Sequence, residues 1–192
     1  MRFSFIVIAL AALFVSCQKN QTVTKNYFDI DSLIDNQLIY LRETNASLTK
    51  TASIDKDQDE ATFKPDSAGW ANELEAFRHL DIINKSIYVD AYEITDGKKD
   101  ENSNLIVRNF QATREIPIEY FRIYYQDSPK RIRKIEASLS EQNTLYFTAR
   151  TFSMELEDVK DKMVLSAYKI RGIQKMILRD SVTFQISSKV NY

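Results

Sequence analysis

The chain has 192 residues, with 26 Lys and Arg against 27 Asp and Glu. That near balance removes any global electrostatic case for nucleic acid, and the length fits one domain with a real core and leaves little room for two. Three glycines and three prolines beside ten tyrosines and eleven phenylalanines imply mostly regular structure, with turns made by Asp, Asn, Ser and Lys.

The N-terminus opens on a single positive charge, Arg2, followed by an almost unbroken apolar run from Phe3 to Val15. About thirteen apolar residues after a basic start, with a small residue before a cut, form a secretory signal peptide. A bilayer-spanning helix needs about twenty. The junction Phe14, Val15, Ser16, Cys17 resembles the lipobox of bacterial lipoprotein precursors, in which the cysteine is acylated and becomes the first mature residue. That family prefers Leu where this chain has Phe14. Cys17 is the only cysteine, so it has no disulfide partner within the chain, and lipidation explains both the residue and its placement. The resemblance implies palmitate-type acylation at Cys17 and a membrane partner reached through that anchor. Residues 1–16 are then the signal peptide, 17–26 a polar lipidated tether, and 27–192 a single α+β domain.

Past the tether, Ile30, Ile34, Leu38, Leu41 and Leu48 recur at helical spacing, with Asp29 or Asp31 available as N-cap, and predict a helix over 30–52. The polar run 55–60 reads as a solvated loop. Its alternating acids resemble the start of an EF-hand loop, but Glu60 and Asp66 stand where that loop needs Gly and Glu, so no metal site is assigned. Trp70, Leu74, Phe77, Leu80 and Ile83 predict a second helix over 67–85, capped by Asp66 or Ser67. The only histidine, His79, falls on its solvent side one turn after Glu75. A lone histidine without a second nitrogen or sulfur ligand does not build the common zinc sites.

From Ile87 the period changes to two. Strands are expected at 87–89, 105–110, 118–125, 135–139 and 144–156, and on through Tyr168, Ile170 and 173–178, with turns at Asp96–Gly97, 127–129, 141–143 and 158–161. In 144–156 the apolar set Leu145, Phe147, Ala149 gives way to Phe152, Met154, Leu156. That change of parity near Arg150 predicts a bulge, and Gly172 a similar kink. The expected fold is therefore α+β: two N-terminal helices packed on a curved antiparallel sheet, a meander or partial barrel of about six or seven strands. Carriers that shuttle lipoproteins also place helices on a curved sheet; that similarity is one of fold alone, with no shared motif.

Motifs that carry chemistry are missing: no phosphate-binding loop, dinucleotide fingerprint, nucleophile elbow or metalloprotease His pair occurs. No catalytic residue, cofactor or metal ligand is assigned. Glu155 and Glu157 share a strand face in the way glycosidase carboxylates do, but at a strand end they read as a solvated acidic rim. Lys130, Arg131, Arg133 and Lys134 suit a charged, solvated edge strand. Tyr120, Phe121, Tyr124 and Tyr125 alternate across both faces, which makes Tyr120 and Tyr124 a possible binding surface.

Three triplets, Asp31-Ser32-Leu33, Asp66-Ser67-Ala68 and Asp180-Ser181-Val182, resemble the O-glycosylation sequon that Bacteroidota use on exported proteins. With the lipobox they make the chain look like a Bacteroidota-type envelope lipoprotein. In that group acidic residues after the cysteine accompany surface exposure, whereas this chain reads Gln18, Lys19, Asn20, Gln21. The resemblance thus implies an outer-membrane protein facing the periplasm. The expected function is non-catalytic, a binding or structural module for an envelope protein, lipid or glycan; the alternative is a carboxylate-dependent hydrolase of cell-wall or polysaccharide substrates.

Overall fold

The computed structural model describes residues 24–159 and 161–192; the expected signal peptide, the expected lipidation site Cys17 and residues 18–23 of the expected tether lie outside them. Two short helices, α1 (Ile30–Glu43) and α2 (Ser67–Arg78), accompany nine strands: β1 (Ser47–Ile54), β2 (Asp57–Phe63), β3 (Tyr92–Lys99), β4 (Ile106–Ala112), β5 (Tyr120–Tyr125), β6 (Ile132–Gln142), β7 (Tyr146–Val159), β8 (Lys162–Met176) and β9 (Val182–Asn191). They form one sheet in the order β2-β1-β9-β8-β7-β6-β5-β4-β3, antiparallel throughout.

This overturns the expectation of two consecutive helices on six or seven strands. The helix expected over 30–52 stops at Glu43, because Asn45 turns into the left-handed region (φ 58°) and Asn is among the residues that tolerate it. Leu48, which fits the helical period, instead opens a period of two with Lys50 and Ala52, and Thr49 and Thr51 suit the pleat. The expected loop 55–60 is the turn and first half of a hairpin. Asp55 (φ 51°) makes its tip, and β2 pairs along β1 from Ile54–Asp57 to Leu48–Phe63. Every residue of β2 is exposed; Asp57, Asp59 and Glu60 carry charge along this edge of the sheet, which opposes pairing with another chain.

The second helix is shorter than 67–85 as well, passing at His79 into a 3-10 turn that ends at Asn84. Residues 86–88 form another 3-10 turn rather than a strand: the Tyr88 and Val89 amides donate to Lys85 and Ser86 carbonyls. Asp96 and Gly97 lie within β3, where the register with β4 shifts between Thr95 and Lys98 and Gly97 takes φ 85°.

Caps explain where the helices start. Asp29 accepts from the Ser32 amide at 3.0 Å, and Asp66 from the Gly69 amide at 2.7 Å. Each satisfies a first-turn donor the helix cannot. From α1, Ile30, Ile34, Gln37 and Leu41 are buried; from α2 and its 3-10 extension, Trp70, Leu74, Phe77, Leu80 and Ile83. They pack on one face of the sheet, with the Phe77 ring edge-on to Phe152 and Tyr168 at 5.5 and 5.7 Å. Side chains of this size contribute about 1.5–3 kcal/mol each when fully buried. The segment before α1 continues the cover: Tyr27 packs on Tyr92 and Phe110, and Phe28 on Phe121.

Gln37 is buried (1 % exposed) and polar, and its amide does the work of a strand. Its Nε2 donates to the Met163 carbonyl at 3.0 Å and its Oε1 accepts from the Leu165 amide at 2.8 Å. The β8–β9 pairing ends at Ala167–Lys189, so this end of β8 lacks a backbone partner on that side and the side chain supplies one.

The kink expected at Arg150 does not occur. β6 and β7 pair without a break from Lys134–Glu155 to Gln142–Phe147. The irregularity in β7–β8 lies instead between Glu155 and Leu156, where Ser166 is the extra residue. Gly172 also sits in unbroken register. Its missing side chain makes room for the ring of Phe184 across the strand pair, since a Cβ there would fall 2.4 Å from Phe184 Cζ.

Candidate binding face

The helices cover one face of the sheet, and strand alternation assigns the rest to the other. Phe121, Ala137, Phe152, Ile170 and Ile186 form a cross-strand row under the helices. Their neighbours in sequence therefore point to the helix-free face. This is where the parity change in β7 goes: Phe147 and Ala149 put apolar atoms on the helix-free face, while Phe152, Met154 and Leu156 enter the core. Two-sided apolar content, rather than a bulge, is the physical meaning of that sequence signal.

Three open depressions cross the helix-free face. The largest, about 760 Å³, is bordered by Tyr120, Phe147, Ala149 and Ile173 together with Arg171, Ser138, Ser140, Thr151 and Gln185. A second, about 510 Å³, lies among Thr51, Glu136, Glu155, Lys169 and Ser187. The third, about 550 Å³, adjoins Lys98, Arg122, Tyr124, Lys134 and Glu136.

Tyr120 and Tyr124 both lie on this face, in different settings. Tyr120 is half-buried and the Arg122 guanidinium stacks 4.4 Å from its ring centre. Burial pushes its phenol above the ordinary tyrosine value; Arg122 opposes that shift, while Glu136 and Glu119 add to it. Tyr124 is only 8 % exposed, so it is no free aromatic strip. Its hydroxyl donates to Glu136 Oε2 at 2.6 Å, and Lys134 Nζ stands 5.2 Å from its ring centre. Burial and then the Glu136 bond raise the Tyr124 phenol. Lys134 also bridges Glu136 Oε1 at 2.6 Å. Burial alone would raise Glu136, but the bonds from Lys134 and Tyr124 and the charge of Arg122 outweigh it and hold the carboxylate below its ordinary range.

The remaining candidates are dispersed. Glu155 and Glu157 are exposed on β7. Arg131 is paired with Asp158 and Lys134 with Glu136, so the basic cluster is half neutralised. His79 stands 4.0 Å from Glu75 with its side chain 57 % exposed. Among the described residues no group of three His, Cys, Asp or Glu side chains is placed to hold a metal ion, and no helix is long and apolar enough to cross a membrane. Asp66 caps α2 and Ser67 is its first residue, whereas Asp31 lies within α1 and bridges Lys25 at 2.7 Å.

Sequence reasoning missed Phe147, Ile173 and Arg171 as members of the face. The signal for the first was the parity change itself; for the other two it was the alternation on either side of Gly172. In comparisons with known proteins, no family model matches the chain, and neither a curated protein nor a solved structure does.

Proposed function

We propose that the chain is a lipid-anchored envelope lipoprotein, held by Cys17 and facing the periplasm from the outer membrane, that acts as a non-catalytic binding module. Its ligand surface is the helix-free face, and the ligand class that surface suits best is a glycan. The observation that carries this reading is the trough beside Tyr120: one aromatic wall and the apolar Phe147 and Ile173, amid the hydroxyl, amide and guanidinium groups of Ser138, Ser140, Thr151, Gln185 and Arg171. Aromatic faces with hydrogen-bonding groups around them match the two sides of a sugar ring, one of C–H and one of O–H. A trough this open is also a poor container for an acyl chain, which binds in enclosed apolar cavities.

The state of Glu136 favours binding over hydrolysis. A glycosidic general acid has its value raised so that it holds a proton near neutrality. Glu136 is shifted the other way by Lys134 and Tyr124. Calorimetric titration of the purified chain carrying Cys17→Ser with soluble cell-wall and polysaccharide fragments tests the reading. A fragment binds, and Tyr120→Ala weakens it about tenfold, the scale of one lost aromatic stacking contact. No heat from any fragment, or affinity indifferent to Tyr120→Ala, removes the trough from consideration.

A further inference from the structure

One end of the sheet carries a concentration of exposed apolar side chains that the binding face does not use. The turn between β6 and β7 and the turn between β8 and β9 lie side by side there: Tyr146 pairs with Met176, and the Ile177 amide donates to the Leu145 carbonyl at 2.8 Å. Leu145, Tyr146, Met176, Ile177, Leu178 and Val182 all stand exposed, and Leu178 reaches 98 %. Leu178 also holds φ 59°, a left-handed conformation that branched and bulky residues rarely adopt. A leucine both strained and fully solvated adds nothing to folding. Lys175 and Arg179 flank the tip, with Asp180 in the same turn and Asp55 of the neighbouring β1–β2 turn held by the Thr183 amide at 2.9 Å.

The segment between Cys17 and the described residues is long enough for the anchor to lie at the same end. Tyr27, near the start of the described residues, contacts Tyr92 and Phe110, and Phe110 belongs to the cross-sheet row that runs through Phe121, Ala137 and Phe152. From Phe152 to Tyr146 the β7–β8 arm rises six residues beyond that row, about 20 Å. Residues 17–24 span about 25 Å when extended. Ile87 and Val89 are exposed beside the Tyr27 contact.

We propose that the β7–β8 arm is a membrane-docking tip: its apolar turns enter the interfacial layer of the bilayer that holds the lipid anchor, with Lys175 and Arg179 at the anionic headgroups. The proposal rests on the lipoprotein reading for which bilayer it meets, and on the arm alone for the docking. Apolar side chains at a protruding point, bordered by cations, match the way interfacial segments bury a few residues into the headgroup boundary. A flat protein partner would need a broad apolar patch; here the apolar groups are gathered on two adjacent turns. Docking at two points, anchor and arm, fixes the domain's orientation and sets the helix-free face sideways to the membrane.

The test uses the chain from position 17 with Cys17→Ser, which retains every described element, and vesicles of phosphatidylcholine with phosphatidylglycerol. A Leu178→Trp reporter shifts to the blue on adding vesicles and is quenched by brominated acyl chains. The only native tryptophan, Trp70, is buried and gives a constant background. Without the reporter, the chain co-sediments with the vesicles, and Leu178→Asp lowers its partition coefficient at least about tenfold, with the circular dichroism spectrum unchanged. An unshifted reporter, co-sedimentation indifferent to Leu178→Asp, or a concentration-dependent dimer that Leu178→Asp dissolves would each overturn the proposal, the last by naming a second copy as occupant. Palmitate labelling that fails while vesicle docking persists removes only the anchor, and the reverse removes only the tip.

Discussion

Replacing Gln37 with Leu removes a side chain that completes the hydrogen bonding of β8 while keeping the volume close to native. Two bonds disappear, from Nε2 to the Met163 carbonyl and from the Leu165 amide to Oε1. Leu165 is fully buried, so its amide finds no water; the Met163 residue is half-buried and its carbonyl is partly compensated. A buried backbone group left without a partner costs about 1–3 kcal/mol. Adding a smaller loss at Met163 and subtracting about 1 kcal/mol for the gained apolar burial leaves a net destabilisation of about 2 kcal/mol. For a domain of this size that corresponds to a fall in melting temperature of about 4–8 °C. Urea titration followed by circular dichroism measures the first quantity and a thermal scan the second, while hydrogen exchange reports the Leu165 amide directly. A change under about 0.5 kcal/mol together with a Leu165 amide as protected as in the native chain would show that Gln37 is not the missing strand partner.

Gly172→Ala places a Cβ against the Phe184 ring and destabilises by about 1–3 kcal/mol in urea titration; pairing it with Phe184→Leu restores part of the loss, and strictly additive effects would refute the contact. Burial raises the phenols of Tyr92 and Tyr168, the latter also through its bond to Glu73, and burial lifts Tyr192 to about 12. Because these folded-state values lie above the unfolded value of 10.0, their contribution is whole below pH 10 and is lost as pH climbs beyond it. Thermal scans from pH 8 upward should therefore show a flat region and then a fall, accompanied by tyrosinate absorbance that appears on unfolding; a midpoint unchanged at pH 11 contradicts it. Radiolabelled palmitate enters the native chain in a bacterial host and not Cys17→Ser, and incorporation that survives the substitution removes the anchor. Protease added to intact cells leaves the protein whole, and cleavage there would move it to the outer surface.

Local chemistry was legible wherever it acted over a few residues. Asp29 and Asp66 mark the helix starts because a carboxylate three residues before an orphan amide is a local arrangement. The recurrence of Trp70, Leu74, Phe77, Leu80 and Ile83 marked the buried stripe, although the backbone tightens to a 3-10 turn at His79 within it. Alternation placed Tyr120 and Tyr124 on one face of β5, but could not say that Lys134 and Glu136 bury Tyr124.

The amino-acid sequence by itself determined the helix caps, the apolar stripes, the alternation of the later strands, and the signal-like N-terminus that resembles a lipoprotein leader. Tertiary structure decided the rest. β1 and β2 carry few large apolar residues and read as helix tail and acidic loop, because their stability comes from pairing: β1 lies between β2 and β9, and its partner Asn191 is 144 positions from Ser47 along the chain. A backbone ladder satisfied by distant strands leaves no period in the local sequence, and a strand exposed on its whole length needs none. The same holds at Gly172, where only the ring of Phe184 across the sheet distinguishes a close contact from a kink. Which set of β7 side chains faced the helices was likewise fixed by where α2 could lay Phe77 against Phe152, since a strand's alternation names two faces and only packing chooses between them.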